Sequence, residues 1–176
     1  MNRPRFTLLA AMIFAAAASR LMPHLPNATP IAAIALFGGA FFADKRLAFL
    51  VPLAALFLSD LVLGLHGQMP GVYASFAMTV CLGFWLRGQR WVLPIAAATL
   101  TSSVLFYLVT NFNVWATGGL YPKTLEGLGA CYVAAIPFFR YTVFGDAFYA
   151  ALLFGGFALA EKSFPLLRDH AALNAA

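Results

Sequence analysis

Four ionisable residues stand at the ends of, or inside, long apolar runs of this 176-residue chain: Arg20, Asp60, Arg140 and Asp146. Charges in such surroundings are costly, so they pair with one another, face a bundle interior or line a wet cavity. Two carboxylates and two guanidiniums permit full pairing, Arg20 or Arg140 with Asp60 or Asp146. One reading is a structural ion-pair network that fixes helix register. The sharper one is a charged floor beneath a small-molecule site. Residues suited to its walls and lid stand nearby: Asn27, Asn111, Asn113, Trp115, Tyr121 and Lys123, with His24, Thr29, His66 and Gln68 beside them. Aromatic rings with a few convergent polar groups suit a small ligand. Trp115 and Tyr121 equally suit the aromatic belt of a membrane protein.

The elements that must position these residues follow from composition. Hydrophobic residues make up 62% of the chain and charged ones 10%, with mean hydropathy +0.85. A soluble domain carries about 25% charged residues, so lipid is the main solvent here. Apolar runs predict six membrane spans in one all-α domain, 6–22, 31–43, 47–65, 72–86, 91–111 and 139–160. The second, IAAIALFGGAFFA, is short and rich in small residues, which predicts a tilted, broken or re-entrant segment. Between spans five and six, the sequence predicts a loop through Thr117–Pro122 and a short outer-side helix over 124–136.

Lys and Arg set the orientation. Arg3, Arg5, Lys45, Arg46, Arg87, Arg90, Lys162 and Arg168 fall on one side of a six-span chain, leaving Arg20, Lys123 and Arg140 opposite: eight of the eleven basic residues against three. Both termini are therefore expected in the cytoplasm of a bacterial inner membrane. The segment SRLMPHLPNATP, the turn HGQMPG and the 5–6 loop then face outward. Asp60 lies roughly 8 Å below the outer end of its span at about 1.5 Å per residue, and Asp146 lies at similar depth. The opening MNRPRFTLLAAMIFAAAASR also has the layout of a secretory signal. The apolar run continuing through Met22, and the charge balance, favour a retained span.

The charge of +5 forms no basic stripe, so no nucleic-acid partner is expected. Walker A, GxSxG and HExxH motifs do not occur in the sequence, and the expectation is a non-enzyme without cofactor. Hydroxyls within spans, such as Ser59 and Thr101 to Ser103, are expected to bond the carbonyl one turn back. Cys81 and Cys131 have neither CxxC nor zinc spacing. On the first span, Ala11 and Ala15 make a small-residue face that permits close helix contact. It serves packing within the bundle, or docking on another membrane protein.

Two stretches carry a family resemblance: PNATPIAAIALFGG, and TNFNVWATGGLYPKT with the segment after it. Across nearly its whole length the chain resembles DUF6580, small bacterial membrane proteins described as candidate transport proteins of unknown function. That family is in turn similar in size and span count to the S-components of energy-coupling-factor vitamin transporters. The resemblance implies a six-helix S-component-like bundle. It also implies an outward micronutrient pocket covered by loops 1, 3 and 5, and an energising module docked on Ala11 and Ala15. One relative of that class binds cobalamin through a Cys thiolate on cobalt; here Cys131 is the better placed of the two cysteines. The expectation is thus a transport protein that binds a vitamin-like molecule in an outward pocket formed by the residues above. It would work in lipid, with an energising module or as a homo-oligomer. The alternative is a non-transporting scaffold whose buried charges are structural.

Overall fold

The computed structural model describes residues 2–23, 27–89 and 91–168. Among them the chain forms six helices and no strand: α1 Arg3–Ala18, α2 Ile31–Phe41, α3 Lys45–Leu63, α4 Met69–Trp85, α5 Val92–Thr117 and α6 Leu125–Ser163. A 3-10 turn, Ser19–Leu21, prolongs α1. By length and composition, four of the six can cross a bilayer: α1 with that turn, α3, α5 and α6. His24, Arg90 and the tail after Arg168 lie outside the described residues.

The second element departs most from a simple crossing. Helix α2 has 11 residues, about 16 Å at 1.5 Å per residue, against a hydrocarbon core of about 30 Å. Every residue from Ile31 to Gly39 is buried, so α2 is surrounded by protein on all sides. A helix that is apolar all round belongs inside a bundle. Small residues make the wrapping possible. Gly39 and Gly83 bring α2 against α4 backbone to backbone, and Gly38 seats Pro52 of α3. Phe37 of α2 packs its ring against Phe154 and Phe157 of α6, 5.4 and 5.8 Å between centroids. The last carbonyls of α2 find their donors on Arg87, whose Nε donates to Gly39 O at 3.1 Å and Nη2 to Phe42 O at 2.7 Å.

Local sequence sets the helix ends. Asn2 Oδ1 accepts from Arg5 N at 3.1 Å to cap α1, Asp44 Oδ1 accepts from Arg46 N at 2.7 Å to cap α3, and Thr124 Oγ1 accepts from Gly127 N at 3.1 Å to cap α6. These are ordinary N-cap residues. Gly64 stops α3 at φ +104°, a conformation that suits glycine. One end of the bundle gathers basic residues. Arg5 pairs with Glu161, donates to Leu167 O at 2.6 Å and lies 5.0 Å over the Phe157 ring. Lys45 and Arg87 meet there over Phe84.

Two expectations are corrected. The short helix over 124–136 and the span over 139–160 are one helix, α6, of 39 residues. Pro137 lies within it without ending it, and a π-helical turn at Ala151–Gly155 carries it on to Ser163. Span five, expected to end at Asn111, is helical as far as Thr117. There Asn111 Nδ2 donates to Tyr107 O and Thr117 Oγ1 to Asn113 O, each at 2.8 Å, so polar side chains bond along the helix and do not break it.

The α2–α4 contact gives a test. A Cβ on Gly83 would stand 2.5 Å from Leu36 O and 2.9 Å from Gly39 Cα, whereas one on Gly129 meets nothing within 4 Å. Gly83→Ala is expected to cost about 1–3 kcal/mol by overpacking, read as a lower melting temperature in detergent. Gly129→Ala should cost nothing, since alanine favours a helix interior. Equal melting of the two variants would contradict the close approach.

Candidate functional site

At the end opposite Arg5 and Arg87, the four charges do not form one floor. They separate into a closed pair, a lone carboxyl and an outward-turned guanidinium. Arg20 Nη2 lies 2.8 Å from Asp60 Oδ1, with the two side chains 10% and 3% exposed. The other Asp60 oxygen, Oδ2, accepts from Tyr73 Oη at 2.9 Å. Arg20 Nη1 donates to Ser59 Oγ, which in turn donates to Leu56 O at 2.7 Å. Thus α1, α3 and α4 are tied by one cluster. Arg20 Nε is its buried donor without a partner.

Asp146 is equally buried, at 2% exposure, but among the described residues no cation pairs with it. Its Oδ2 lies 2.6 Å from Ser103 Oγ on α5. The expected Arg140–Asp146 pair is not formed. Arg140 is exposed, donates to Tyr141 Oη at 2.8 Å and lies 4.6 Å over that ring. Six residues of helix put Arg140 and Asp146 on different faces (about 100° per residue).

Beside these groups lies a cavity of about 240 Å³ between α4, α5, α6 and the segment after α1, with Asn27, Tyr107, Thr110, Asn111, Phe139 and Thr142 among its lining. Among the described residues, no side chain that lines it is charged. Most hydroxyl protons there are already committed to backbone: Thr110 Oγ1 donates to Phe106 O at 2.7 Å and Tyr107 Oη to Tyr132 O at 2.6 Å. Asn111 Nδ2 likewise donates to Tyr107 O. The Thr110 hydroxyl oxygen and the Asn111 side-chain oxygen keep acceptor capacity, and the Asn27 amide can both donate and accept. Asn27 sits at φ +62°, which asparagine tolerates better than most side chains. Gly145 lets the Ala28 backbone settle on α6 behind it.

The remaining predicted residues do not line the cavity. Asn113 Nδ2 donates to Gln68 Oε1 at 2.6 Å and joins α5 to the start of α4. Trp115 Nε1 donates to Pro122 O at 2.8 Å. Lys123 Nζ donates to Gly118 O at 2.6 Å and to Trp115 O, and lies 5.7 Å over the Trp115 ring. These bonds cap the carbonyl end of α5, a favourable place for a cation. Tyr121 is half-buried in the same turn. The Cys131 thiol is buried and donates to Asn111 O at 3.5 Å, and Cys131 is not among the residues that line the cavity. Ala11 and Ala15 are exposed, and α1 turns Leu9, Ile13, Ala16 and Ala17 inward instead. The expectation that the Ala11–Ala15 face packs within the bundle is corrected accordingly.

Sequence reasoning missed Tyr73, Tyr107 and Thr142, and gave Ser103 only its bond to the carbonyl one turn back. Each is a hydroxyl inside an apolar run, and their signal was the isolated polar atom that a span must satisfy.

A family model matches residues 1–167, and the chain belongs to that family, DUF6580, a family of unknown function. No curated protein and no solved structure matches the chain.

The Arg20–Asp60 cluster generates a direct expectation. Removing one partner of a buried pair strands the other charge and costs about 3–5 kcal/mol. Arg20→Met should therefore lower the melting temperature sharply, and Arg20→Met with Asp60→Leu should recover much of the loss. A single variant as stable as the wild type would contradict a desolvated pair.

Proposed function

We propose that this DUF6580 member is a membrane transport protein that captures a small, vitamin-like molecule from the outer side and takes part in its uptake. In this reading all six helices lie in the membrane, with α2 reaching only part of the way. The basic end is cytoplasmic, as the positive-inside rule favours, so the cavity between α4, α5 and α6 opens outward. That cavity is the observation that carries the reading. Its aromatic lining with the amides of Asn27 and Asn111 fits an uncharged molecule with a flat ring and hydrogen-bonding edges. Its volume of about 240 Å³ lies below the range of about 300–1,000 Å³ that holds drug-sized ligands. A compact vitamin or precursor suits it better than cobalamin, whose cobalt would also lack the Cys131 thiol.

Asn27 and Asn111 bind the ligand in this reading, while Asn113, Trp115, Tyr121 and Lys123 hold the rim in shape. The exposed Ala11–Ala15 face of α1 supports an energising membrane module as partner, in the manner of the vitamin-transporter S-components. A second reading is favoured by the Arg20–Asp60 cluster. The Asp60 carboxylate is met by Arg20 and Tyr73 from within the chain, as a scaffold with a structural ion-pair network requires.

Mass spectrometry on protein purified gently from its native membrane separates the two. The transport reading expects a near-stoichiometric small molecule. Asn111→Leu should weaken its binding at least about tenfold, since a buried ligand donor then lacks its acceptor. No retained molecule across mild detergents, with no thermal stabilisation by a vitamin panel, would favour the scaffold.

A further inference from the structure

Helix α6 carries its second carboxyl, Asp146, between two cavities. Thr142, one turn before it, lines the outer cavity described above. Val143 and Ala147, on either side of it along the helix, line a second cavity of about 400 Å³ between α5 and α6. That cavity follows α5 from Val92, at the basic end, as far as Ser103, about 16 Å of helix. Ser103 is thus both its inner limit and the hydrogen-bond partner of Asp146.

Among the described residues no side-chain cation answers the Asp146 charge. Neither α5 nor α2 contains Asp, Glu, Lys, Arg or His. Tyr107 of α5 is bonded to Tyr132 O. On α6, Arg140 is turned to Tyr141, and Tyr149 Oη is bonded to Ser19 Oγ at 2.8 Å. Arg20 is committed to Asp60. The described residues of the segment packed on Gly145, Asn27 to Pro30, carry no charge. An uncompensated carboxylate in such a site is strongly disfavoured.

The hydrogen bonds fit a neutral acid instead. Ser103 Oγ stands 2.6 Å from Asp146 Oδ2 and 3.1 Å from Thr99 O, and one hydroxyl carries one proton. With Asp146 protonated, the acid donates to Ser103 Oγ and Ser103 donates to Thr99 O. With Asp146 ionised, Ser103 turns to the carboxylate, which then has one donor and no cation among the described residues.

We propose that Asp146 is a proton-binding site set between the two cavities, and that it exchanges its proton with water reaching Ser103 from the basic end. On release the proton passes to that water, and the Ser103 O–H swings from Thr99 O to Asp146 Oδ2. The π-helical turn at Ala151–Gly155 begins five residues on; such turns are frequent at functional sites. As a coupling device this rests on the transport reading above. As a proton site it stands without it.

Infrared difference spectra of the full chain in lipid nanodiscs at neutral pH test it. The wild type should show a protonated-carboxyl C=O band that is absent from Asp146→Asn and kept in Asp60→Asn. Ser103→Ala should keep that band at a higher frequency, and this variant carries the test if Asp146→Asn fails to fold. No such band in the wild type overturns the proposal. So does a melting temperature raised by sodium over choline in the wild type alone, which would make the occupant a metal ion. Loss of ligand binding with the band intact counts against the ligand site only, whereas a missing band with ligand retained counts against the proton site only.

Discussion

An 11-residue apolar helix cannot cross a bilayer, and its free carbonyls cannot be left in hydrocarbon. That constraint on α2 organises the rest of the molecule. Protein must cover α2 on every side, so glycines meet it from α4, a proline from α3 and phenylalanines from α6. Its last carbonyls need donors at depth, and Arg87 reaches in from the end of α4 to supply them. A helix that stops short also leaves room above its start. There the segment Asn27 to Pro30 comes down onto Gly145 and helps to close the outer cavity. The polar site exists because one element of the bundle does not go all the way.

The two buried carboxyls show how environment divides one residue type into two roles. Asp60 is bonded by a guanidinium and a phenol, and its cluster locks three helices together. Asp146 has a single serine and stands where two cavities approach one another. The first arrangement suits permanence. The second suits a group whose charge changes during a cycle. Between them, no described residue that lines the polar cavity is charged.

Much of this was legible in the sequence. The apolar runs behind α1, α3 and α5 follow from length and hydropathy. The shortness of α2 was plain in IAAIALFGGAFFA, but its central position was not, because hydropathy does not distinguish a lipid neighbour from a protein one. The boundary between 136 and 139 and the end of span five at Asn111 were both read as breaks, yet both lie in continuous helix. Side chains that bond back to their own helix remove the polar signal on which a loop assignment depends. The pairing of Arg20 with Asp60 was one of several permitted, since partner choice depends on helix rotation, which spacing alone does not give. Asn27 and Asn111 line one cavity, while Trp115 and Lys123 spend their polar atoms on the α5–α6 turn.

The central claim is that the polar cavity opens to the outer side, away from the basic end. Single cysteines at Asn27, Asn111 and the exposed Gln89, in a chain with Cys81 and Cys131 replaced by alanine, test it most directly. A membrane-impermeant maleimide is applied to intact cells and then to permeabilised ones. Labelling at 27 and 111 in intact cells, with 89 labelled only after permeabilisation, is the result predicted. The reverse pattern would contradict it.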